Sequence, residues 1–213
     1  MVRTAVLVSG GGTNLQAIID ANLFGEIKNC ELAAVISSNP EAYAIQRAKY
    51  AGIPTYVVDH SIFANRASFT KALLEKLQDL EIELVVYAGF NYILGAQMTH
   101  VYENRIINIH PSLIPSFCGP GFFGLKVHET VLAYGAKVTG ATAHFASEIA
   151  DGGPIILQKA VPVLEGDTPQ TLQRRVMEQA EWKILPEAIS LFCERRLEVH
   201  GRVVRIKKVN EDV

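Results

Sequence analysis

"RTAVLVSGGGTNLQAII", residues 3–19, runs from an apolar strand through three glycines into an amphipathic helix. Unbroken runs of Val, Ile and Leu mark strands buried on both faces, and a strand followed at once by a helical pattern marks a parallel sheet with helices on its faces. The same alternation recurs downstream: "ELAAVISS" precedes "EAYAIQRAKYAG", "PTYVV" precedes "RASFTKALLEKLQDL", and "ELVVYAG" and "RIINIH" follow. These segments predict an α/β fold with a doubly wound, mostly parallel sheet. Beyond residue 136, "KVTGATAHFAS" and "GPIILQKAVPV" are separated by a Gly/Pro turn and no helix, so they predict antiparallel strands that extend the sheet. A long helix over roughly 168–195 and a hairpin, "RLEVHGRVVRI", close the pattern. With no internal repeat and no linker, residues 1–213 read as one domain.

Ligands of such sheets bind beyond the carboxyl ends of the strands, where strand order reverses. That rule gathers "SGGGTN", "YAGF" and "NIHPS" around one crevice. Gly10, Gly11 and Gly12 let backbone N–H groups approach an anion, Thr13 or Asn14 can cap the helix, and the helix N-terminus adds partial positive charge. Leu15 stands where the dinucleotide fingerprint has its third glycine, and no Walker lysine follows. A phosphomonoester site is the reading favoured over a flexible turn with an ordinary cap.

Composition narrows the partners. The chain of 213 residues is 49% hydrophobic with a formal net charge of -2 and a pI near 6.3. It lacks the basic footprint of nucleic-acid binding, and no run approaches the ~18 apolar residues of a membrane helix. A cytoplasmic protein acting on small molecules is expected. Cys30, Cys118 and Cys193 show no CxxC spacing, and His60, His100 and His200 lack a ligand constellation, so reduced, mostly buried thiols and no metal are expected.

In "NIHPS", Asn108 and His110 share a face of an extended strand, and Pro111 keeps His110 out of the helical region. Both are expected to point into the crevice. Asn can donate to a developing oxyanion, and His moves a proton near neutral pH. Asp151, in the turn "EIADGGPI", is a candidate to orient the imidazole. Each of the three also has a commoner use, as a capping His, a turn Asn or a turn Asp, and the pattern alone leaves both readings open. His144, in the strand "TAHFAS", either neighbours the site or is a satisfied, buried histidine, the latter being favoured; His128 reads as a capping or packing histidine, and Trp182 as an anchor of the last long helix.

Four motifs in order, "SGGGTNLQAII", "AGFNYIL", "NIHPSLIPSF" and "HFASEIADGGPIILQ", closely resemble the phosphoribosylglycinamide formyltransferases, folate-dependent enzymes of purine biosynthesis. The resemblance runs nearly end to end. It implies a Rossmann-like formyltransferase fold, with a phosphate-binding half over 1–107 and a catalytic and folate-binding half over 108–213. It also implies transfer of a formyl group from 10-formyltetrahydrofolate to the amine of glycinamide ribonucleotide without a metal, by a monomer or homodimer. Residue by residue, Asn108, His110 and Asp151 match the catalytic trio. Gly12, Thr13 and Asn14 match the phosphate loop, and Glu178, Gln179 and Glu181 in "EQAE" match the ribonucleotide contacts. Arg66, Asn91, Tyr92, Ile93 and Leu94, together with Asn108 and the run Ser147, Glu148, Ile149, Ala150 and Asp151, match the folate side.

Two departures stand out. Tyr92 occupies a place where the family usually carries arginine, and the loop "SFCGPGFFGLKVHETVL" is a few residues longer than usual. Phe122 and Phe123 in that loop either cover the folate or pack on the surface. Methionyl-tRNA formyltransferases share the Asn-x-His motif but need a further C-terminal domain and a basic surface. Formyl-tetrahydrofolate hydrolases usually begin with a regulatory domain, whereas this chain starts directly at its first strand. A nucleotide-binding module without catalysis would not need the trio.

Overall fold

Two apolar faces of one strand account for the layering. In the computed structural model, which describes residues 1–208, the first strand, β1 (Val2–Val8), sends Val6 and Val8 into one core and Ala5 and Leu7 into the other. Burying a side chain of this size contributes about 1.5 to 3 kcal/mol. The first core is closed by α1 (Thr13–Leu23) and α2 (Tyr43–Tyr50) through Leu15, Ile18, Ala44 and Ala48. The second is closed by α3 (Arg66–Asp79) and α4 (Ala96–Val101) through Phe69, Leu73, Leu77 and Met98.

The remaining strands are β2 (Cys30–Ser37), β3 (Thr55–Val57), β4 (Leu84–Tyr87), β5 (Ile106–His110), β6 (Val138–Phe145), β7 (Ile155–Pro162), β8 (Leu197–His200) and β9 (Val203–Ile206). They form one sheet in the order β3-β2-β1-β4-β5-β6-β7-β9-β8. Pairing is parallel from β3 to β5 and antiparallel at β5–β6 and β6–β7. The closing hairpin joins β7 through a parallel pairing of β9. The order reverses between β1 and β4, and the loops after these two strands lie side by side there. No helix among the described residues is long and apolar enough to cross a membrane.

The expected long helix near the C-terminus is interrupted. Residues Pro169–Val176 form α6, Met177–Glu181 form a π-helical turn, and Trp182–Cys193 form α7. A π turn inserts an extra residue into the helical ladder, a feature that a 3.6-residue period does not reveal. Its last residue, Glu181, is buried. Another helix, α5 (Leu125–Tyr134), leads into β6 and packs its buried His128 into the interior, where both ring nitrogens lack partners among the described residues. Burial pushes that imidazole down to about 4. Of the cysteines, Cys30 and Cys193 are buried, and Cys118 is half-buried.

Candidate active site

The glycine loop is shaped by its neighbours more than by a side-chain cap. Gly12 itself holds the N-cap position of α1 with φ 74, and neither Thr13 nor Asn14 caps the helix, contrary to the sequence reading. The reason is tertiary: Asn14 turns inward and donates from Nδ2 to Oε2 of Glu181 at 2.7 Å. The loop is tied to α2, where the Ala44 amide donates to the Gly10 carbonyl at 3.0 Å. Arg47 donates from Nε to the Gly11 carbonyl at 2.8 Å and from Nη1 to Gln16 at 3.1 Å. The loop therefore offers the α1 N-terminus with a guanidinium beside it, a setting suited to a phosphate. Glu178 and Gln179 are exposed, so of the "EQAE" residues only Glu181 meets the loop.

Two strand pairings away, beyond β4, lie the polar groups of β5. Asn108 pairs in register with His144 of β6, and Asn108 Nδ2 is 3.1 Å from His144 Nε2. His144 Nδ1 lies 2.8 Å from the Phe145 carbonyl. A carbonyl only accepts, so Nδ1 carries the hydrogen and Nε2 is left to accept from the asparagine amide. Burial pushes the His144 pKa down, which keeps the ring neutral and this arrangement intact. Asn108 is thereby held with its second amide hydrogen free.

Asp151 lies between the two histidines. Its Oδ2 is 3.5 Å from His110 Nδ1, and its Oδ1 is 3.7 Å from His144 Nε2. The Gly119 amide donates to the same Oδ2 at 2.8 Å. The turn that carries Asp151 lies so close to β6 that a Cβ on Gly153 would sit 1.8 Å from the Phe145 carbonyl oxygen, which requires glycine there. Asp151 adopts φ 53, a left-handed conformation that Asp tolerates better than most residues.

A cleft of about 350 Å³ opens over this cluster. Of the residues matched to the folate side, Asn91–Leu94, Asn108, Ser147, Ile149, Ala150 and Asp151 line it, whereas Glu148 does not. Arg66 also stands outside the lining, exposed as the first residue of α3. Both Phe122 and Phe123 line the cleft: Phe122 packs on the core beneath, and Phe123 is 69% exposed. His110 is absent from the lining. It shares the face of Asn108 as expected, but the loop after β5 folds over it, and its Nε2 lies 3.0 Å from the Phe117 carbonyl. No group of three or more His, Cys, Asp or Glu side chains converges as metal ligands among the described residues.

Residues 2–189 match the model of the family described as formyl transferase. The chain belongs to the formyl transferase family. It is 40% identical to the phosphoribosylglycinamide formyltransferase of Escherichia coli, over 93% of this chain and 91% of that protein. A solved structure, glycinamide ribonucleotide transformylase 1 from Symbiobacterium toebii, superposes with a TM-score of 0.91 at 46% identity, covering 98% of this chain and 95% of the other. The trifunctional purine biosynthetic protein adenosine-3 of Bos taurus is 44% identical over 94% of this chain, but the chain spans only 19% of that relative's length.

The sequence of this formyl transferase leaves His144 either beside the site or as a satisfied, buried histidine, and it is both: it is buried, and its contact with Asn108 follows from the β5–β6 register, which no local pattern states. Arg47 is a residue that the sequence reading does not single out. It reaches the glycine loop only because β1 and β2 are neighbours.

Glu181 gives a stability test. Its burial pushes the carboxyl from an ordinary 4.5 up to about 7, against the hydrogen bond from Asn14. The folded chain thus holds a proton that the unfolded chain releases. This contribution is complete below 4.5 and is lost as pH rises through about 7. Glu181→Gln removes the ionisation and is expected to raise Tm at pH 8, by roughly 2 to 4 °C per kcal/mol of penalty removed. At about pH 4, where both side chains are neutral, little change is expected. Thermal melts at the two pH values check both the size and the sign.

Proposed function

We propose that this formyl transferase moves a formyl group from 10-formyltetrahydrofolate to the amine of glycinamide ribonucleotide. The observation that carries the reading is the convergence of Asn108 and Asp151 on the lining of the cleft, with His110 behind them and the glycine loop two strand pairings away. Kinship at 40% identity with the full-length Escherichia coli enzyme supports it.

In this reaction the phosphate of the ribonucleotide sits at Gly12–Asn14, with the Glu181 carboxyl beside its sugar, and the folate occupies the cleft. The amine nitrogen attacks the formyl carbon, and the carbonyl oxygen gains negative charge. The free Asn108 amide hydrogen faces that charge, a type of donor worth about 3 kcal/mol where measured in acyl transfer. The bond from the carbon to the folate nitrogen then breaks. The amine loses a proton towards Asp151, and the departing nitrogen gains one from His110. For His110 to meet the reacting atoms, the Phe117 carbonyl must leave its Nε2. The trio of roles, the two halves of the domain and a cytoplasmic place of action belong to this one reading.

An absorbance assay of folate deformylation tests it. Deformylation that depends on glycinamide ribonucleotide is expected; deformylation without it would mark a hydrolase, and none at all would mark a binding module.

The family departure at Tyr92 yields a second test. Its ring stacks on His60 with centroids 3.9 Å apart and meets Phe69 edge-on at 5.5 Å, while its hydroxyl makes no hydrogen bond among the described residues. Tyr92 thus serves as an aromatic wall. Tyr92→Phe is expected to leave folate affinity within about twofold, and Tyr92→Ala to lower it by roughly two- to tenfold, the worth of one aromatic contact. Titration of both variants with the folate decides between wall and hydrogen-bond donor.

A further inference from the structure

Ser9 stands between the last residue of β1 and the first glycine of the loop, and it is 8% exposed. Its Oγ accepts from the Asn91 amide at 3.1 Å and lies 2.7 Å from Ser38 Oγ. The Ser38 hydroxyl reaches the Val8 carbonyl at 3.4 Å. The Ser38 hydroxyl has one hydrogen, and with it on the Val8 carbonyl the bonds run Asn91 N–H to Ser9, Ser9 to Ser38, Ser38 to Val8. The chain of bonds closes on β1 itself. Ser38 is 2% exposed, and its backbone is fixed at both ends, its amide donating to Val8 at 3.1 Å and its carbonyl accepting from the His60 amide at 3.0 Å.

This places one hydroxyl between two loops with different guests. On one side is the glycine loop, whose Gly10 and Gly11 carbonyls are held by Ala44 and Arg47. On the other is the segment after β4, which begins to line the cleft at Gly89 and is pinned at its far end by the Gly95 amide on Thr70 Oγ1 at 2.9 Å. Along that segment, Asn91 is joined to the body of the sheet by the hydrogen bond its backbone N–H donates to Ser9. A displacement of the glycine loop by a phosphate therefore moves the acceptor of a cleft-lining amide.

We infer that Ser9 is a positioning residue that couples the phosphate loop to the cleft-lining segment 89–95, so that the phosphomonoester substrate and the folate each tighten the binding of the other. The inference rests on the function proposed above. Coupling of this kind is reciprocal and commonly amounts to five- to 150-fold in affinity. Removing the hydroxyl deprives Asn91 of its acceptor while leaving both loops' own ligand groups in place, so single-ligand binding persists and the mutual enhancement goes.

The test uses the full chain with glycinamide ribonucleotide and tetrahydrofolate, a pair with no formyl group to transfer, so that equilibrium affinities can be read by calorimetry. For the wild type, saturating ribonucleotide is expected to tighten the folate by about fivefold or more. Ser9→Ala should bring that ratio to within about twofold of unity with each ligand alone still bound; a purely structural serine would lower Tm and leave the ratio as it was. Ser38→Ala, which removes the acceptor of the Ser9 proton, should lower the ratio in the same direction and decides the matter if Ser9→Ala does not fold. A wild-type ratio near one, or an unchanged ratio in the variants, overturns the inference. Failure of the wild type to bind either ligand alone would instead overturn the proposed function.

Discussion

Asp151→Asn is expected to slow formyl transfer by roughly 10²- to 10⁴-fold, the range associated with a lost acid–base group. The substitution isolates charge from shape. Asn tolerates the left-handed conformation that Asp151 adopts at φ 53, and its carbonyl oxygen can still accept from the Gly119 amide. What disappears is the negative charge 3.5 Å from His110 Nδ1 and the carboxylate oxygen pair placed between both histidines. The amine then has no carboxylate to lose its proton to, and the imidazole faces a neutral amide. Single-turnover rates across pH should show the fall together with loss or displacement of one limb of the profile. Ribonucleotide affinity should stay nearly unchanged, because the glycine loop follows a different strand. Near-normal turnover with an unaltered profile would reduce Asp151 to a turn residue.

Gly12→Val is expected to weaken ribonucleotide binding by roughly ten- to hundredfold, as the strain of a branched residue in the left-handed region, about 1 to 3 kcal/mol, is relieved by moving the loop. The steric cause lies behind the loop. A Cβ at Gly12 would sit 2.7 Å from the Ala44 Cβ and 2.9 Å from its Cα, and the backbone there has φ 74. The valine therefore pushes the loop away from α2 and breaks its alignment with the phosphate, rather than only filling the phosphate's space. Folate affinity, measured without ribonucleotide, should remain within about twofold, since the cleft at 89–95 is lined by other elements. Equal loss of both affinities would show that the two loops form one site.

The difference between these two predictions reflects what a sequence can display. The strand–glycine–helix unit at 3–19, the parallel front half and the antiparallel strands after 136 are local patterns, and each was legible as residue periodicity. Strand parity and the crevice rule place Asn108 at the cleft, whereas Asp151 is only a candidate in a glycine-rich turn until the family resemblance matches it to the trio. Other features depend on what packs against what. Gly12 rather than Thr13 or Asn14 holds the N-cap of α1 because Glu181, buried by a π turn in the C-terminal helices, draws Asn14 inward. His110 keeps its strand face yet leaves the cleft wall because Phe117 folds back on it. His144 meets Asn108 through a cross-strand register that depends on how β6 returns along β5. None of these has a period, a spacing or a cap to announce it.

The most direct measurement follows the formyl carbon itself. With an isotopically labelled formyl group on the tetrahydrofolate and an equal amount of glycinamide ribonucleotide, the proposed reaction predicts that the label leaves the folate and appears in the ribonucleotide as an N-formyl amide, with little free formate. Mass spectrometry of the separated products reads this in one experiment. Label recovered as formate, or retained on the folate while the ribonucleotide stays unmodified, would contradict the proposed transfer.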